Sequence, residues 1–491
     1  MSQRSLADFL DELGHAGELI RVEAAVDPLL EVAAVTDRVA KSQGSALLFG
    51  AVRGHDVPLV TNLLGSEARI CMALHVPALC EVASRIAALA CPQEPEGWFE
   101  RLKASPHEAW LRKLMPRSVN SGICQQVIRL GGDVDLGELP LLHCWPGEAG
   151  RMITAGQLFT TDAGSGGRVA GRYDLEMLDR NRLAVFLSPH DEPARLLCAA
   201  ASAGQRLPLA IVFGGDPRTL LSLSAPLPPG SDPAGLAGVL REKPLEMVKC
   251  RSIELEVPAD AEIVLEGYID PREAPVKAGP RCTPLGQLAP ARLEPVLHVT
   301  TITHRANPVF SAMVYGRPPH EEALIHRAMW RVLLPLLKSS IPELADLDLP
   351  MFGAARHWAI AAIHKTYAGQ ARKVAHALWG LRPPLFAKIT VLVDAGVDVH
   401  DVSGVLEAIA THVDPGRDVM MVQGPPDPLD VATLPERLAQ PMAVDATAKL
   451  PDEQGGYWPA AARTTDEIER LLSERWTEYQ LGPEPKADDR R

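Results

Sequence analysis

The feature that most constrains this fold is the way the hydrophobic periodicity changes along the chain. Apolar residues within 6–13 recur at the three- and four-residue steps of an amphipathic helix. From about 124 to 310, apolar and polar residues instead tend to alternate, most regularly in 251–257 and 261–267. That alternation is typical of half-buried strands. The middle of the chain therefore predicts a mostly antiparallel sheet or barrel.

The last third alternates helix-like and strand-like segments. A broad apolar helical face runs through 321–337, and 388–394 is a nearly continuous apolar strand. A helix at 402–412 and a strand at 419–422 follow, and this spacing predicts a βαβ unit in a partly parallel sheet. A capping box at 464–467 precedes an amphipathic helix, which we expect at a subunit or domain contact.

These patterns predict an α/β (α+β) protein, and 491 residues allow two or three domains at roughly 150 residues each. We expect an N-terminal α/β region at 1–120, in which 92–118 is a proline-rich connector. A β-rich region follows at 121–315 and a C-terminal α/β region with its terminal helix at 316–481. The polar residues 482–491 are expected to be a disordered tail.

Composition narrows the classes of partner. The chain has 62 acidic and 49 basic residues, a net charge of −13, which argues against nucleic acid as a partner. It has no apolar run near the ~18 residues of a membrane span and no leader-like start, so we expect a cytoplasmic protein with no membrane span. The eight cysteines contain no Cys-x-x-Cys pair, which indicates reduced thiols.

Two groups of ionisable residues stand out, although no common nucleotide, hydrolase or zinc motif is present. Residues 172–174 and 188–192 lie around one predicted hairpin, where they would line a site or form solvated strand ends. Glu262 and Glu266 are four apart in a predicted strand, so they share a face. They would act as an acid and base pair, or lie on the solvent-exposed face of a sheet that is covered on one side only. The sequence leaves both alternatives open.

Whole phrases of the chain match one known family in order and spacing. They are the segments 27–31, 37–39, 46–49, His143-Cys144-Trp145-Pro146, 178–182, 246–250, 257–267, 298–304, Gly316-Arg317-Pro318-Pro319, 397–399 and 445–447. In these phrases the chain resembles the UbiD family of decarboxylases. The resemblance implies an N-terminal α/β region, a central flavin-reductase-like split β-barrel that holds the cofactor, and a C-terminal α/β domain ending in an oligomerisation helix.

The same resemblance implies a cofactor and its ligands. Family members use prenylated FMN, whose phosphate is held through a divalent metal, usually manganese (Mn2+), and potassium (K+). It implies cofactor-binding positions at Thr154, Tyr173, His190 and Ser224, with His190 and Asp232 as metal ligands. Near the family's phosphate-binding lysine, the segment 376–386 offers Arg382 and no lysine.

Several family residues are replaced in this chain. Val169 stands where the family has a metal-binding asparagine, and Asp174 where it has the catalytic arginine. In place of the segment with two catalytic glutamates, residues 278–283 read Ala-Gly-Pro-Arg-Cys-Thr. Arg172, Asp174 and Cys282 are therefore the candidate catalytic residues of a rebuilt site.

The function predicted from the resemblance is a non-oxidative (de)carboxylase of a small aromatic or α,β-unsaturated carboxylic acid. The alternative is a non-catalytic subunit or ligand-binding protein that partners an active decarboxylase, because the glutamate pair is absent. Cofactor-independent chemistry in the same pocket is a third possibility. We expect a homo-oligomer, or a hetero-oligomer with an active family member.

Overall fold

Contacts divide the chain into two units, residues 1–447 and 448–491, and each is described by itself. The computed structural model describes residues 5–90, 105–228, 230–381, 387–433, 438–454, 462 and 464–482. The predicted boundaries near 120 and 315 lie inside the first unit, and the division there stays a prediction. The predicted tail after Gly482 and the position of Arg382 lie outside the described residues.

The N-terminal region is a four-stranded sheet in the order β1-β2-β3-β18, in which β18 is Phe310–Ser311, and helices cover it. The first helix is capped by Ser5, whose hydroxyl accepts from Asp8 N at 3.3 Å, and its predicted apolar face is buried. The elements are α1 Leu6–His15, β1 Leu19–Val22, α2 Glu31–Lys41, β2 Ala46–Phe49, β3 Leu59–Thr61, α3 Glu67–Leu74, α4 Leu79–Ala90, α5 Ser105–Leu114 and β4 Arg117–Val119.

Helix α5 corrects the predicted connector at 92–118, of which residues 92–104 lie outside the described residues. The proline that argued against a helix, Pro106, is the second residue of α5. Proline is tolerated in the first turn because the backbone N–H groups there have no partner within the helix.

A closed antiparallel barrel occupies the middle of the first unit, as predicted. Six strands pair in the order β12-β9-β6-β7-β8-β17, and β17 pairs back onto β12. The elements are β5 Val127–Leu130, β6 Met152–Thr161, β7 Arg168–Met177, β8 Arg182–Val185, α6 Glu192–Ala203, β9 Leu207–Phe213, α7 Pro217–Leu223, α8 Pro233–Arg241, β10 Glu246–Lys249, β11 Glu256–Pro258, β12 Ile263–Ile269, β13 Val276–Ala278, β14 Arg281–Cys282, β15 Leu288–Ala289, β16 Arg292–Glu294, β17 Val296–His304 and β18 Phe310–Ser311. The buried barrel interior includes Leu158, Leu175, Ile211 and Leu265.

The alternating segment 251–257 is not the strand that its pattern predicts. Only Glu256–Pro258 is extended and paired, as β11. The backbone N–H groups of Arg251 and Ser252 instead donate to the carboxylate of Glu266, at 2.7–2.9 Å. The buried Glu266 carboxylate thus accepts the hydrogen bonds that a neighbouring strand would otherwise accept from this backbone.

The C-terminal sheet of the first unit has the order β19-β20-β21-β23-β22. The elements are α9 Glu321–Ser340, β19 Leu344–Asp348, β20 Trp358–Ile363, α10 Gln370–Trp379, β21 Ile389–Asp394, α11 Val402–His412, α12 Pro415–Asp418, β22 Val419–Met421 and β23 Met442–Asp445. The parallel unit is β20-α10-β21. The predicted unit of β21, α11 and β22 is wrong, because β22 is a three-residue edge strand antiparallel to β23. The buried place beside β21 belongs to β23.

The second unit contains the helices α13 Pro451–Gln454 and α14 Asp466–Arg475. Helix α14 is capped by Thr465, whose side chain accepts from Ile468 N at 3.3 Å. In the part of the chain that is described, no single helix is long and apolar enough to cross a membrane. One bent pair, Glu67–Leu74 with Leu79–Ala88, meets the length and composition criteria jointly.

Candidate functional site

A cavity of about 560 Å³ lies beside strand β7, a size typical of small-molecule sites. Residues 168–174 of β7 form one wall and 188–192 another. The charged residues that line it are Asp162, Arg168, Arg172, Asp174, Asp191, Glu192, Arg281, Arg292, Glu322, Arg356 and Asp427. The ionisable groups of 172–174 and 188–192 thus meet at one cavity, which favours the site over solvated strand ends.

Tyr315 lies at the centre of a hydrogen-bonded network in this cavity. Its hydroxyl donates to Asp174 Oδ1 at 2.8 Å and accepts from Arg172 Nη1 at 2.6 Å. Arg172 Nη2 donates to Glu322 Oε1 at 3.0 Å, at the start of α9. Strand β7 and helix α9, distant in the sequence, therefore share one polar network.

Arg281 approaches the same network from β14. Its Nη1 donates to Asp174 Oδ2 at 2.5 Å, and its guanidinium carbon lies 4.4 Å from the ring centre of Phe186. The ion pair and the cation–π contact fix the guanidinium group on two sides.

Glu322 is shared by two arginines, since Arg356 Nη2 also donates to its Oε1, at 3.4 Å. Burial alone would raise the pKa of Glu322, but Arg172 and Arg356 lower it to about 2, so the carboxylate stays ionised. Three buried polar atoms here have no hydrogen-bond partner among the described residues: Glu322 Oε2, Arg172 Nε and Arg356 Nε. Unmet donors and an acceptor beside a cavity are suited to a polar ligand.

Two of the predicted cofactor-binding residues, Tyr173 and His190, line the cavity. Burial, together with the charges of Asp191 and Glu192, raises the pKa of the Tyr173 phenol, which keeps it neutral. The backbone N–H of His190 donates to Ser188 Oγ at 3.3 Å, within the loop that Asp191 closes by accepting from Ser188 N at 2.7 Å.

Three other predicted residues do not line this cavity. Thr154 Oγ1 donates to the carbonyl of Met313 at 2.5 Å, and Ser224 Oγ to that of Leu220 at 3.0 Å. Cys282 is packed in the core, where burial raises the pKa of its thiol to about 12. A buried thiol of that pKa is a poor nucleophile, and Cys282 does not line the cavity, which argues against the catalytic role predicted for it.

The predicted metal ligands are not assembled. Asp232 caps α8, where its Oδ1 accepts from Ala234 N at 3.0 Å, and its Oδ2 accepts from Arg168 at 2.6 Å. Val169 has no atom that binds a metal. Among the described residues, no group of three or more His, Cys, Asp or Glu side chains is placed to hold a metal ion. The side chains present therefore do not fit the manganese that the family resemblance implies.

Glu262 and Glu266 follow neither of the alternatives that the sequence left open, because both are buried and engaged separately. Glu262 accepts from Val309 N at 3.0 Å and from Arg305 at 3.3 Å. Glu266 binds the 251–252 backbone as described above, and neither glutamate lines the cavity.

Sequence reasoning missed Arg281, Tyr315, Glu322 and Arg356. Arg281 lies inside the segment 278–283, which drew attention for its missing glutamates rather than for its new positive charge. Tyr315 and Glu322 flank the family phrase at 316–319. A search for charged or phenolic residues next to the matching segment 316–319 would have found Tyr315 and Glu322.

Three family models match the chain. They are those of the 3-octaprenyl-4-hydroxybenzoate carboxy-lyase N-terminal domain at 10–88, its Rift-related domain at 117–318 and its C-terminal domain at 323–446. The chain belongs to the UbiD family. The Rift-related match contains the whole barrel, so the predicted family and fold class are confirmed.

Similar proteins span nearly the full length of this UbiD-family chain. An uncharacterised protein of Aquifex aeolicus is 39% identical over 478 residues, which is 96% of this chain and 98% of its own. An evolved dimeric form of the UbiD-class enzyme HmfF from Pelotomaculum thermopropionicum, in complex with prFMN, is 28% identical, covers 96% of this chain and 100% of its own, and has a TM-score of 0.76. The closed form of Sedimentibacter hydroxybenzoicus vanillic acid decarboxylase is 26% identical, with coverages of 98% and 100% and a TM-score of 0.86.

Proposed function

We propose that this UbiD-family chain is a non-oxidative carboxy-lyase that exchanges CO2 and a proton on an aromatic or α,β-unsaturated carboxylic acid. The observation that carries the proposal is the cavity beside β7. There the family segment 169–174 meets a buried network of arginines, carboxylates and a phenol. Such a site offers cations to hold an acid and ionisable groups to move a proton.

The proposal includes the flavin of the family cofactor but not its metal ions. A prenylated flavin is supported by the related HmfF complex with prFMN and by the volume and arginine lining of the cavity. Tyr173 and His190 would contact it. When bound, it supplies an electron sink for the charge left on carbon as CO2 departs. No role is assigned to Mn2+ or K+, because the described side chains offer no suitable ligand group.

Proton transfer is assigned to Asp174 and Tyr315. Glu322 lines the same cavity, but a carboxyl group with a pKa of about 2 carries no proton to donate near neutral pH. The Tyr315 hydroxyl donates to Asp174 at 2.8 Å. Burial raises the pKa of the phenol well above its usual value, an effect that Arg172 on its other side opposes, so the phenol carries a proton near neutral pH. Asp174 and Tyr315 therefore replace, in this proposal, the glutamate pair that the family carries.

The test is to express the full chain with a supply of prenylated FMN, desalt it and record its visible absorption and metal content. Exchange of ¹³C-bicarbonate into cinnamic and hydroxybenzoic acids then reports the reaction in either direction. We expect a coloured protein that labels at least one acid. A colourless protein that labels none would contradict the proposal.

Residues 278–283 contain neither of the two glutamates that the family resemblance implies there, which favours one alternative, a non-catalytic subunit or ligand-binding protein paired with an active relative. Co-purification of a second UbiD-family chain with an inert protein would support that function. Label exchange by the purified chain alone would exclude it.

A further inference from the structure

The arginines that line the cavity differ in how many of their donors are already used. Arg168 is paired with Asp232 at 2.6 Å and Glu256 at 3.5 Å. Arg292 bonds Glu294 and the carbonyl of Leu187. Each of these guanidinium groups is held by two protein partners, which leaves fewer of its N–H donors for a ligand.

Arg172 has more hydrogen-bond partners than Arg168 or Arg292. It donates to Tyr315, to Glu322 and, at 3.3 Å, to the carbonyl of Thr154. Arg281 and Arg356 are different: in the part of the chain that is described, each side chain makes a single hydrogen bond, Arg281 to Asp174 at 2.5 Å and Arg356 to Glu322 at 3.4 Å. Of the two, Arg281 is the more deeply buried, with 8% of its side chain exposed against 20% for Arg356. Because a guanidinium group has five N–H donors in a planar fork, most of the donors of Arg281 remain for a ligand.

The charge of the network also favours an anion. Three guanidinium groups, from Arg172, Arg281 and Arg356, face two carboxylates, from Asp174 and Glu322. Within this network the guanidinium groups outnumber the carboxylates by one, whereas the whole cavity lining has five arginines and six carboxylates, so the preference for an anion is local to the network. The side chain of Arg281 is 8% exposed, and a charge-assisted hydrogen bond is strong at so dry a position.

We propose that Arg281 binds the carboxylate of the substrate, and that Asp174 is the positioning residue that holds Arg281. The identity of the ligand rests on the proposed function. The resemblance places a catalytic arginine at position 174, where this chain has the opposite charge. The cation instead comes from β14, across the ion pair, and it directs the site toward monocarboxylates.

The test compares benzoate with benzamide, which has the same ring and no charge, by calorimetric titration of the purified full chain. We expect wild type to prefer benzoate at millimolar concentration, and Arg281→Met to reduce that preference at least about tenfold. Because Arg281→Met leaves Asp174 buried and unpaired, the double variant Arg281→Met/Asp174→Asn is the safer form, with Asp174→Asn as its reference.

Asp174 is tested by its neutral variants. Asp174→Asn still offers an oxygen to Arg281 and should keep the preference for benzoate, whereas Asp174→Leu should lose it. A purely structural role would lower the affinity for benzoate and benzamide alike. The matched control Arg292→Met/Glu294→Gln removes another ion pair from the same cavity and should leave the preference within about threefold.

The outcomes separate this inference from the proposed function. If no acid exchanges label but the benzoate preference depends on Arg281, the proposed function fails and the carboxylate site stands. If wild type exchanges label but Arg281→Met/Asp174→Asn keeps the benzoate preference of Asp174→Asn, the carboxylate site fails and the function stands. Wild type that does not bind benzoate at millimolar concentration overturns the inference.

Discussion

Glu321 and Glu322 are neighbours in the sequence with opposite electrostatic environments. Glu321 accepts from Leu64 N at 2.7 Å, and burial, which outweighs the charge of Arg69, raises its pKa to about 7. Glu322 faces Arg172 and Arg356, which outweigh burial and lower its pKa to about 2. The first turn of α9 thus gives one carboxyl group to the N-terminal region and one to the cavity.

Because of this contrast, the two glutamates should affect stability in separate pH ranges. A raised folded-state pKa means that the stability contributed by protonated Glu321 is complete below 4.5 and is lost as the pH rises through about 7. Glu321→Gln should therefore reduce the wild-type loss of unfolding free energy over that range, by on the order of 3 kcal/mol. Urea unfolding at about pH 5 and about pH 8 measures it.

Glu322→Gln is the matched control. Its stabilising charge is present above 4.5 and is lost as the pH falls toward about 2, so its effect should appear on the acid side. Identical pH profiles for the two variants would contradict the assignment.

Tyr315→Phe removes one hydroxyl from the network and leaves the ring in place. Arg172 loses an acceptor and Asp174 a donor, which should lower the free energy of unfolding by about 1–2 kcal/mol. If Tyr315 moves a proton, label exchange should also fall by about 10²-fold, a typical contribution of acid–base catalysis, with flavin content unchanged. Wild-type exchange in Tyr315→Phe would rule out that role.

At the scale of elements, Glu148 joins the loop 143–148 to strand β14. Its Oε2 accepts from Cys144 N at 2.9 Å and Trp145 N at 3.0 Å, and its Oε1 from Cys282 N at 3.0 Å. One buried carboxylate thus fixes the residue next to Arg281.

Glu148→Ala should destabilise the protein by about 3 kcal/mol or more, because buried N–H groups would lose their acceptor. It should also weaken benzoate binding, since β14 would lose its anchor. Glu148→Gln, which retains one acceptor oxygen, should be milder in both respects. Thermal unfolding and the benzoate titration measure the two effects, and an unaffected Glu148→Ala would contradict this role.

Elements with a regular local pattern were predictable from the sequence. The helix at 402–412 has the bounds that its periodicity indicates, and the strand predicted at 388–394 is β21, Ile389–Asp394. The predicted parallel pairing of 419–422 was wrong, because the local pattern does not contain the later strand that takes the buried position. The family segment at 169–174 located the cavity. The partners of Asp174 escaped prediction because they lie more than 100 residues away.

At the scale of the whole molecule, α14 in the second unit carries the exposed apolar side chains Ile468 and Leu471. We propose that this stripe is covered by another copy of the chain, a contact of the kind that the amphipathic pattern predicts. Leu471→Asp should then lower the mass measured by light scattering. Arg470→Asp, which spares the stripe, should leave the mass unchanged. An equal mass for Leu471→Asp and wild type would contradict the proposal.

The ion pair between Asp174 and Arg281 also has a consequence for inheritance. Replacing either partner alone would strand a buried charge, at a typical cost of several kcal/mol. A lineage is therefore expected to exchange the two residues together or through a neutral intermediate. Descendants that acquire an arginine at position 174 should have given up the one at position 281, so the two positions are expected to be inherited as a pair.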